Sequence, residues 1–339
     1  MMLEGKRVLV TGGTGSLGQK VVRRLLTGEM GNPARITIFS RDEAKQNDMR
    51  LAYLNRGAAT DDVIYESSRR ALSFRIGDVR DYAALARAVM DADVVVHAAA
   101  LKQVPSCEYF PAEAVRTNLD GAINLVRAVA QAGSPVELVA GISTDKACKP
   151  VNVMGMTKAI MERILIEANL ETDRTRFVCV RYGNVVASRG SVVPLFIEQI
   201  AKGGPVTITT TDMTRFLLTL DHAVDTVFVA MREARRGETF IPRAPSARIT
   251  DLVDVMIDGR DIPVVVTGIR PGEKTHEILV SEEECHRTIR RGDYYAILPI
   301  LPELREGDFE PALSGEYSSM DDLLDRQALR ELVAQYVSS

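Results

Sequence analysis

Short apolar runs recur through the first half of the chain. Arg7 to Val10, Ile36 to Phe39, Leu72 to Ile76, Val94 to His97, Val136 to Ile142 and Phe177 to Val180 have the length and β-branched content of buried strands. Between them apolar residues return every three or four positions, the spacing of a helix with one buried face. Val21, Val22, Leu25 and Leu26 follow the first strand; Val115, Leu119, Ala122, Ile123, Val126 and Val129 form a stripe on a long helix opened by Pro111. A further helix begins at Gly155 and carries Ala159, Ile160, Ile164 and Leu165. Strands alternating with helices predict an α/β fold, a doubly wound parallel sheet of the Rossmann type. The polar stretch Gly57 to Arg70 reads as an exposed loop. Past Arg181 the alternation breaks down. A helix entered through Ser188 to Phe196, a short strand at Thr207 to Thr209 and an amphipathic helix around Leu329 to Val337 suggest a smaller second unit.

Composition narrows the class. The 339 residues are 46% apolar and 26% charged, ordinary for a soluble globular protein. A net charge of −4 gives no basic footprint, so nucleic acid is not an expected partner. Cys107, Cys148, Cys179 and Cys285 lack metal-type spacing and read as reduced thiols, with no metal site. No run reaches the roughly 18 apolar residues of a membrane span, and no signal-peptide core is evident; the expectation is a cytoplasmic protein without membrane insertion.

The chemistry-bearing stretches lie where the expected strands end. Thr11-Gly12-Gly13-Thr14-Gly15-Ser16-Leu17-Gly18 stands between the first strand and its helix. There, missing side chains let backbone approach a pyrophosphate at a helix N-terminus. The second strand ends in Ser40-Arg41, with Lys45 a turn later. A hydroxyl and two cations favour NADP, through its 2′-phosphate, over NAD, although Asp42 keeps NAD open. Asp78 at the third strand tip could meet the adenine, and Ala98, Ala99 and Ala100 give the cofactor a close backbone approach. His97 reads as a packed core histidine. Ser143 to Lys158 sets an acid and an amine, Asp145 and Lys146, on a strand-to-helix loop. Met154 and Lys158 stand one helical turn apart on the following helix. Farther on, Arg215 and Arg270 sit beside turn residues and could clamp a diphosphate.

Together these residues resemble the extended short-chain dehydrogenase/reductase superfamily, most closely its soluble UDP-N-acetylglucosamine 4,6-dehydratases of the C5-inverting type. The motifs are Thr11 to Gly18, Phe39 to Arg41, His97 to Cys107, Ser143 to Lys158, Arg181 to Asn184, Ser188 to Phe196, Met213 to Phe216 and Arg270 to Lys274. The Asp145-Lys146 dipeptide is the most diagnostic, since relatives acting on other nucleotide sugars usually carry Asp-Glu there. The resemblance implies residues 1–183 as an NADP-binding domain with a return segment about 206–240. Residues 184–205 and 241–339 would form the substrate cap and tail. It also implies cofactor contacts from Val79, Lys102, Asn118, Lys158 and Tyr182. Substrate contacts would come from Lys102, Asn184, Val193, Pro194, Phe196, Thr209, Arg215, Arg270 and Glu273.

The implied reaction begins with oxidation at C4 of UDP-N-acetylglucosamine. Lys146, its pKa lowered by Lys149 or Lys158, would then remove the C5 proton, and protonated Asp145 would donate to the C6 hydroxyl as it leaves. The superfamily's usual Tyr is Met154 here, so the C4 base is left among Lys102, Lys146 and Lys158, with Thr144 as a relay. A homo-oligomer, dimer or hexamer, is expected, and Cys107 reads as inert. Competing readings are a UDP-sugar 4-epimerase or reductase, and a catalytically silent NADP-binding sensor.

Overall fold

The computed structural model describes residues 1–54, 71–185 and 192–337. The expected loop at 57–70 and residues 188–191 lie outside the described residues. The first six strands are β1 (Arg7–Thr11), β2 (Arg35–Ser40), β3 (Leu72–Ile76), β4 (Val94–His97), β5 (Leu138–Ile142) and β6 (Arg176–Val180). Shorter ones follow: β7 (Val206–Ile208), β8 (Thr214–Phe216), β9 (Thr239–Pro242), β10 (Ser246–Arg248) and β11 (Val264–Val266). The last four are β12 (Ile278–Val280), β13 (Thr288–Arg291), β14 (Tyr294–Ile297) and β15 (Tyr317–Ser318). Nine strands form one sheet in the order β13-β14-β9-β6-β5-β4-β1-β2-β3. From β3 to β9 neighbouring strands run parallel; β14 and β13 close that edge antiparallel. The doubly wound α/β sheet expected from the alternation is present.

Its central strands are buried on both faces, which is why they read as continuous apolar runs. Val8, Val10, Ile36, Ile38, Val94 and Val96 face one layer with Val21, Val22 and Leu25. Leu9, Val95, Val139 and Phe177 face the other with Leu125, Val129, Met161 and Leu165. The helix that Pro111 opens changes pitch: Pro111–Ala114 and Gly121–Ala130 are α-helical, and Val115–Asp120 between them is a π-turn. The wider turn brings Asn118 inward, where its side chain bonds both main-chain groups of Leu101 and the Thr157 hydroxyl. On this helix and the next, Ile123, Met156 and Ile160 remain exposed.

The second half does not separate at 241 as expected. β13 and β14 form a hairpin that returns to the large sheet through β9, so this part of 241–339 belongs to the first layer. The arginines of β13 and the charged turn Gly292-Asp293 hide an edge hairpin whose buried alternation is short. The cap has its own core of Val193, Phe196, Val206, Leu252, Val253 and Met256. Leu329 and Val333 of the terminal helix Arg326–Val337 enter that core, so the tail folds onto the cap of its own chain.

Cap and sheet are joined through a buried arginine. Arg181, just past β6, donates to Glu162 on the helix Val153–Glu171 at 2.6 Å and to Glu284 in the cap at 2.7 Å. Ser143 donates to the same Glu162, tying the start of the Asp145 loop to this network. Burial pushes the Glu284 carboxyl up, but the charge and hydrogen bonds of Arg181 outweigh this and hold it at about 2, below its ordinary 4.5. A depressed carboxyl contributes stability above its ordinary value and loses it as pH falls towards about 2, so resistance to urea should decline through that acid range. Replacing Arg181 by Met leaves buried Glu162 without this ion pair and Glu284 with the more distant Arg287 at 3.6 Å. We expect a loss of about 3–5 kcal/mol in urea unfolding at neutral pH.

Candidate active site

The carboxyl ends of β1, β2, β4 and β5 open into a cavity of about 1250 Å³ that runs on between sheet and cap. That is room for more than one drug-sized ligand. Gly12 shows why glycines stand at its floor. It has φ +67°, and an added Cβ would lie 2.7 Å from the Ala99 nitrogen. Gly15 caps the helix Ser16–Leu26 without a side-chain hydrogen bond, so that helix directs main-chain N–H groups at the cavity. A glycine floor against Ala98 and Ala99, with an uncapped helix end beside it, fits the pyrophosphate of a nicotinamide dinucleotide.

Most of the expected cofactor residues line this cavity: Gly12, Thr14, Gly15, Ser16, Leu17, Gly18, Ser40, Arg41, Lys45, Asp78, Val79, Ala98, Ala99, Ala100, Lys102, Lys158 and Tyr182. Three do not, and each has a structural task. Thr11 is buried, with its hydroxyl on His97 Nδ1 and the Ala99 N–H. Gly13 packs against Ile38, and Asn118 holds Leu101. The cations expected to read a 2′-phosphate have acids beside them. Lys45 pairs with Asp42 at 2.7 Å, and Arg41 lies 3.8 Å from Asp78, which also binds Arg80 at 2.6 Å. Ser40 shares its hydroxyl with Thr14 at 2.8 Å. His97 is fully buried. Burial and the nearby Lys158 charge lower its pKa to about 3, which keeps it neutral, in line with a core histidine. Cys107 is buried too, and burial raises its thiol pKa.

The loop after β5 is held from several sides. Asp145–Ala147 makes one 3₁₀ turn capped by the Thr144 hydroxyl, and Asn152 caps the helix that follows. At Gly155 any side chain would overlap the Lys146 carbonyl, so this glycine lets the helix lie directly on the loop. Thr144, Lys146, Met154 and Lys158 all reach the cavity. Asp145 does not. It is buried behind the lysine, and its Oδ1 accepts from Thr144 at 2.8 Å and from Lys146 at 3.1 Å.

Lys146 departs from its expected state. Its ammonium lies 3.1 Å from Asn184 Oδ1 and 3.4 Å from Glu277 Oε1, besides its contact with Asp145. Burial would lower its pKa, but Asp145 and Glu277 more than offset this and raise it. Neither expected depressing neighbour acts here. Lys149 adopts φ 44°, and its amine pairs with Glu282 and Glu316. Lys274, from the cap, has its pKa lowered by burial, and so does Lys158. Burial brings Lys158 to about 8, with Cys179 and Glu162 only partly opposing, and its hydrogen bond goes to the Met161 sulfur.

On the cap side, Asn184, Phe196, Thr209, Arg215, Arg270 and Glu273 line the cavity. Val193 is instead part of the cap core, and Pro194 is off the wall. On that helix, starting at Val192, the positions facing the cavity are Val192, Leu195 and Phe196. Arg215 spends donors on the carbonyls of Thr214, Lys274 and Thr275, bracing the turn that carries Glu273. Sequence reasoning missed Glu277 and Asn152. The first is a cavity-lining acid at the head of β12; the second clamps the Gly272 carbonyl at 2.8 Å. An acid immediately before the apolar run Ile278–Val280, closing a charged turn, was the available signal for Glu277.

Fold and cavity together define the class, a Rossmann-type doubly wound α/β architecture with a glycine-floored cleft at the carboxyl ends of its parallel strands. Comparison with known proteins sharpens this. The chain belongs to the family described as polysaccharide biosynthesis protein, which matches residues 8–299. A Rickettsia canadensis protein named UDP-glucose 4-epimerase is 41% identical over 98% of this chain and 96% of its own length. An uncharacterized membrane protein of Methanocaldococcus jannaschii is 44% identical over 87% of this chain and 86% of its own. Among the described residues here, no helix is long and apolar enough to cross a membrane. The X-ray structure of Pen from Bacillus thuringiensis matches with a TM-score of 0.86 at 33% identity, covering 99% of each chain.

Proposed function

We propose that this chain is a nucleotide-sugar 4,6-dehydratase acting on UDP-N-acetylglucosamine, inverting C5, in the synthesis of a surface polysaccharide. The observation that carries the reading is the charged cluster around Lys146, built from Asp145 on the sheet side and Glu277 on the cap side, at the cavity wall. Moving a hydride alone needs no such cluster. Removing a proton beside a ketone and expelling water does.

The nicotinamide cofactor, NADP by the presence of Arg41 and Lys45, would be held by the glycine loop and Ala98 to Ala100 and supply the hydride exchange between C4 and C6. Lys158 takes the C4 hydroxyl proton, because Met154 offers no phenol and Lys158, one turn further on, is a cavity amine whose pKa burial lowers to about 8. Once C4 is a ketone, the C5 proton is acidic and Lys146 removes it. Asp145 and Asn184 fix the direction of that amine. Thr209, Arg215, Arg270 and Glu273 wall the cap side against the nucleotide, with the exposed Leu195 as apolar surface beside them and Phe196 packed behind it in the cap core.

The name of the Rickettsia relative favours a second reading, 4-epimerisation, in which C4 is oxidised and reduced again with C6 untouched. One experiment separates the two. In deuterated water with UDP-N-acetylglucosamine, proton NMR should show a new C6 methyl and deuterium at C5. Exchange at C4 with C6 intact would establish the epimerase instead.

A further inference from the structure

Lys146 presents a chemical difficulty for the dehydratase reading. An amine between two carboxylates rests as an ammonium, and an ammonium cannot take a proton. Among the described residues four charged groups face it: Asp145 on its own loop, and Arg215, Lys274 and Glu277 from the cap. Arg215 has no vacancy for a proton, and Lys274, although burial lowers its pKa, turns its amine to the Cys148 carbonyl at 2.6 Å; the groups in direct reach of the Lys146 ammonium are the two carboxylates.

Each carboxylate has one buried oxygen with no hydrogen-bond partner among the described residues, Asp145 Oδ2 and Glu277 Oε2. That is a costly state for an anion and a more tolerable one for a neutral acid, so burial alone does not choose between them. The other oxygens do. Asp145 Oδ1 accepts from the Thr144 hydroxyl and from Lys146, both at hydrogen-bond distance. Protonating that group would weaken two formed bonds. Glu277 Oε1 stands 3.4 Å from Lys146 and 3.8 Å from Arg215, an ion-pair approach on each side with less to lose. Glu277 also lines the cavity, which Asp145 does not. The main chain of Glu277 is pinned by Ser319, whose hydroxyl accepts from its N–H at 2.9 Å and whose own N–H donates to its carbonyl at 2.7 Å. Its side chain is thus delivered to Lys146 from a fixed backbone.

We infer that Glu277 is the acid–base partner of Lys146, supplied by the cap, and that the pair carries the elimination; this assignment rests on the dehydratase reading. The ammonium N–H bond breaks and a Glu277 O–H bond forms, leaving a neutral amine and a neutral acid. The amine then takes the C5 proton, and the C5–H electron pair becomes the double bond of an enolate. As that pair returns to form C5=C6, the C6 hydroxyl leaves and takes the Glu277 proton, departing as water. The ammonium and the carboxylate are restored, and nothing is oxidised or reduced in these steps. Asp145, which accepts from Lys146 at 3.1 Å, serves as the positioning residue of that amine.

The test combines protonation and turnover. In the protein without sugar, Lys146 is labelled with acetic anhydride across a pH series and its acylation read by mass spectrometry. Glu277→Gln removes one of two counter-charges, so half-maximal labelling should move to lower pH. With UDP-N-acetylglucosamine, Glu277→Gln should lose turnover by about 10²-fold. Absorbance of reduced cofactor should still appear on mixing, since oxidation at C4 does not use this acid. Glu277→Asp, which keeps the carboxyl, should recover part of the lost turnover. An unmoved labelling profile, or wild-type turnover in Glu277→Gln, overturns the inference. Should Glu277→Gln not fold, Glu277→Asp carries the test, and full wild-type turnover with the carboxyl withdrawn by a methylene would count against it. If wild-type protein forms no 6-deoxy product, the dehydratase reading fails, and the labelling series still decides whether Glu277 sets the charge on Lys146.

Discussion

Lys146→Ala should abolish deuterium uptake at C5 and lower turnover about 10²–10⁴-fold, the usual contribution of one positioned acid–base group. The size of the loss reflects where the amine sits. Of the side chains on the Ser143 to Lys158 loop, it is the basic one that is both on the cavity wall and held by three oxygens, those of Asp145, Asn184 and Glu277. Alanine also leaves Asp145 and Glu277 facing each other without their shared cation, so a melting curve belongs beside the rate. Lys146→Arg separates the two effects. It keeps the cation between the acids but cannot deprotonate, and should be folded yet as inactive as alanine. Undiminished C5 exchange in a folded Lys146→Ala protein would remove this lysine from the chemistry.

Much of the site is written locally, and that part could be read in advance. The glycine loop, the alanines after β4 and the Ser143 to Lys158 stretch each lie within one strand–loop–helix unit, where periodicity places residues on a known rim. What could not be read depends on folding between distant segments. Glu277 meets Lys146 only because β12 packs in the cap against the Asp145 loop. Lys149 was a reasonable neighbour for Lys146 by chain distance, yet a left-handed backbone turns it towards Glu316. Val193 illustrates the finer limit. One helical position separates the cap core from the cavity, and the sequence pattern marks both as apolar. The π-turn at Asn118 was equally hidden, since its one-residue shift leaves the apolar stripe almost unchanged.

Lys158→Met should stop cofactor reduction itself, lowering formation of the reduced nicotinamide about 10²–10⁴-fold when sugar is added. The neighbouring Met154 is the reason to look at Lys158, since it lines the cavity with a thioether that accepts no proton. Lys158 stands one turn further on the same face, buried, with Met161 sulfur as its hydrogen-bond partner at 2.9 Å. Burial lowers its pKa to about 8, and Cys179 and Glu162 offset part of that fall. A base must be neutral to act. At pH 7 about one molecule in ten therefore carries the amine in working form. The rate of cofactor reduction should accordingly climb as pH rises towards about 8 and level off above it. Lys158→Arg distinguishes proton transfer from simple charge. Arginine would preserve an electrostatic or ribose-binding role and restore reduction, whereas a proton acceptor is lost as fully with arginine as with methionine. Arginine at wild-type rate would transfer the C4 proton to another group, with the Thr144 hydroxyl at the same cavity wall the first to examine.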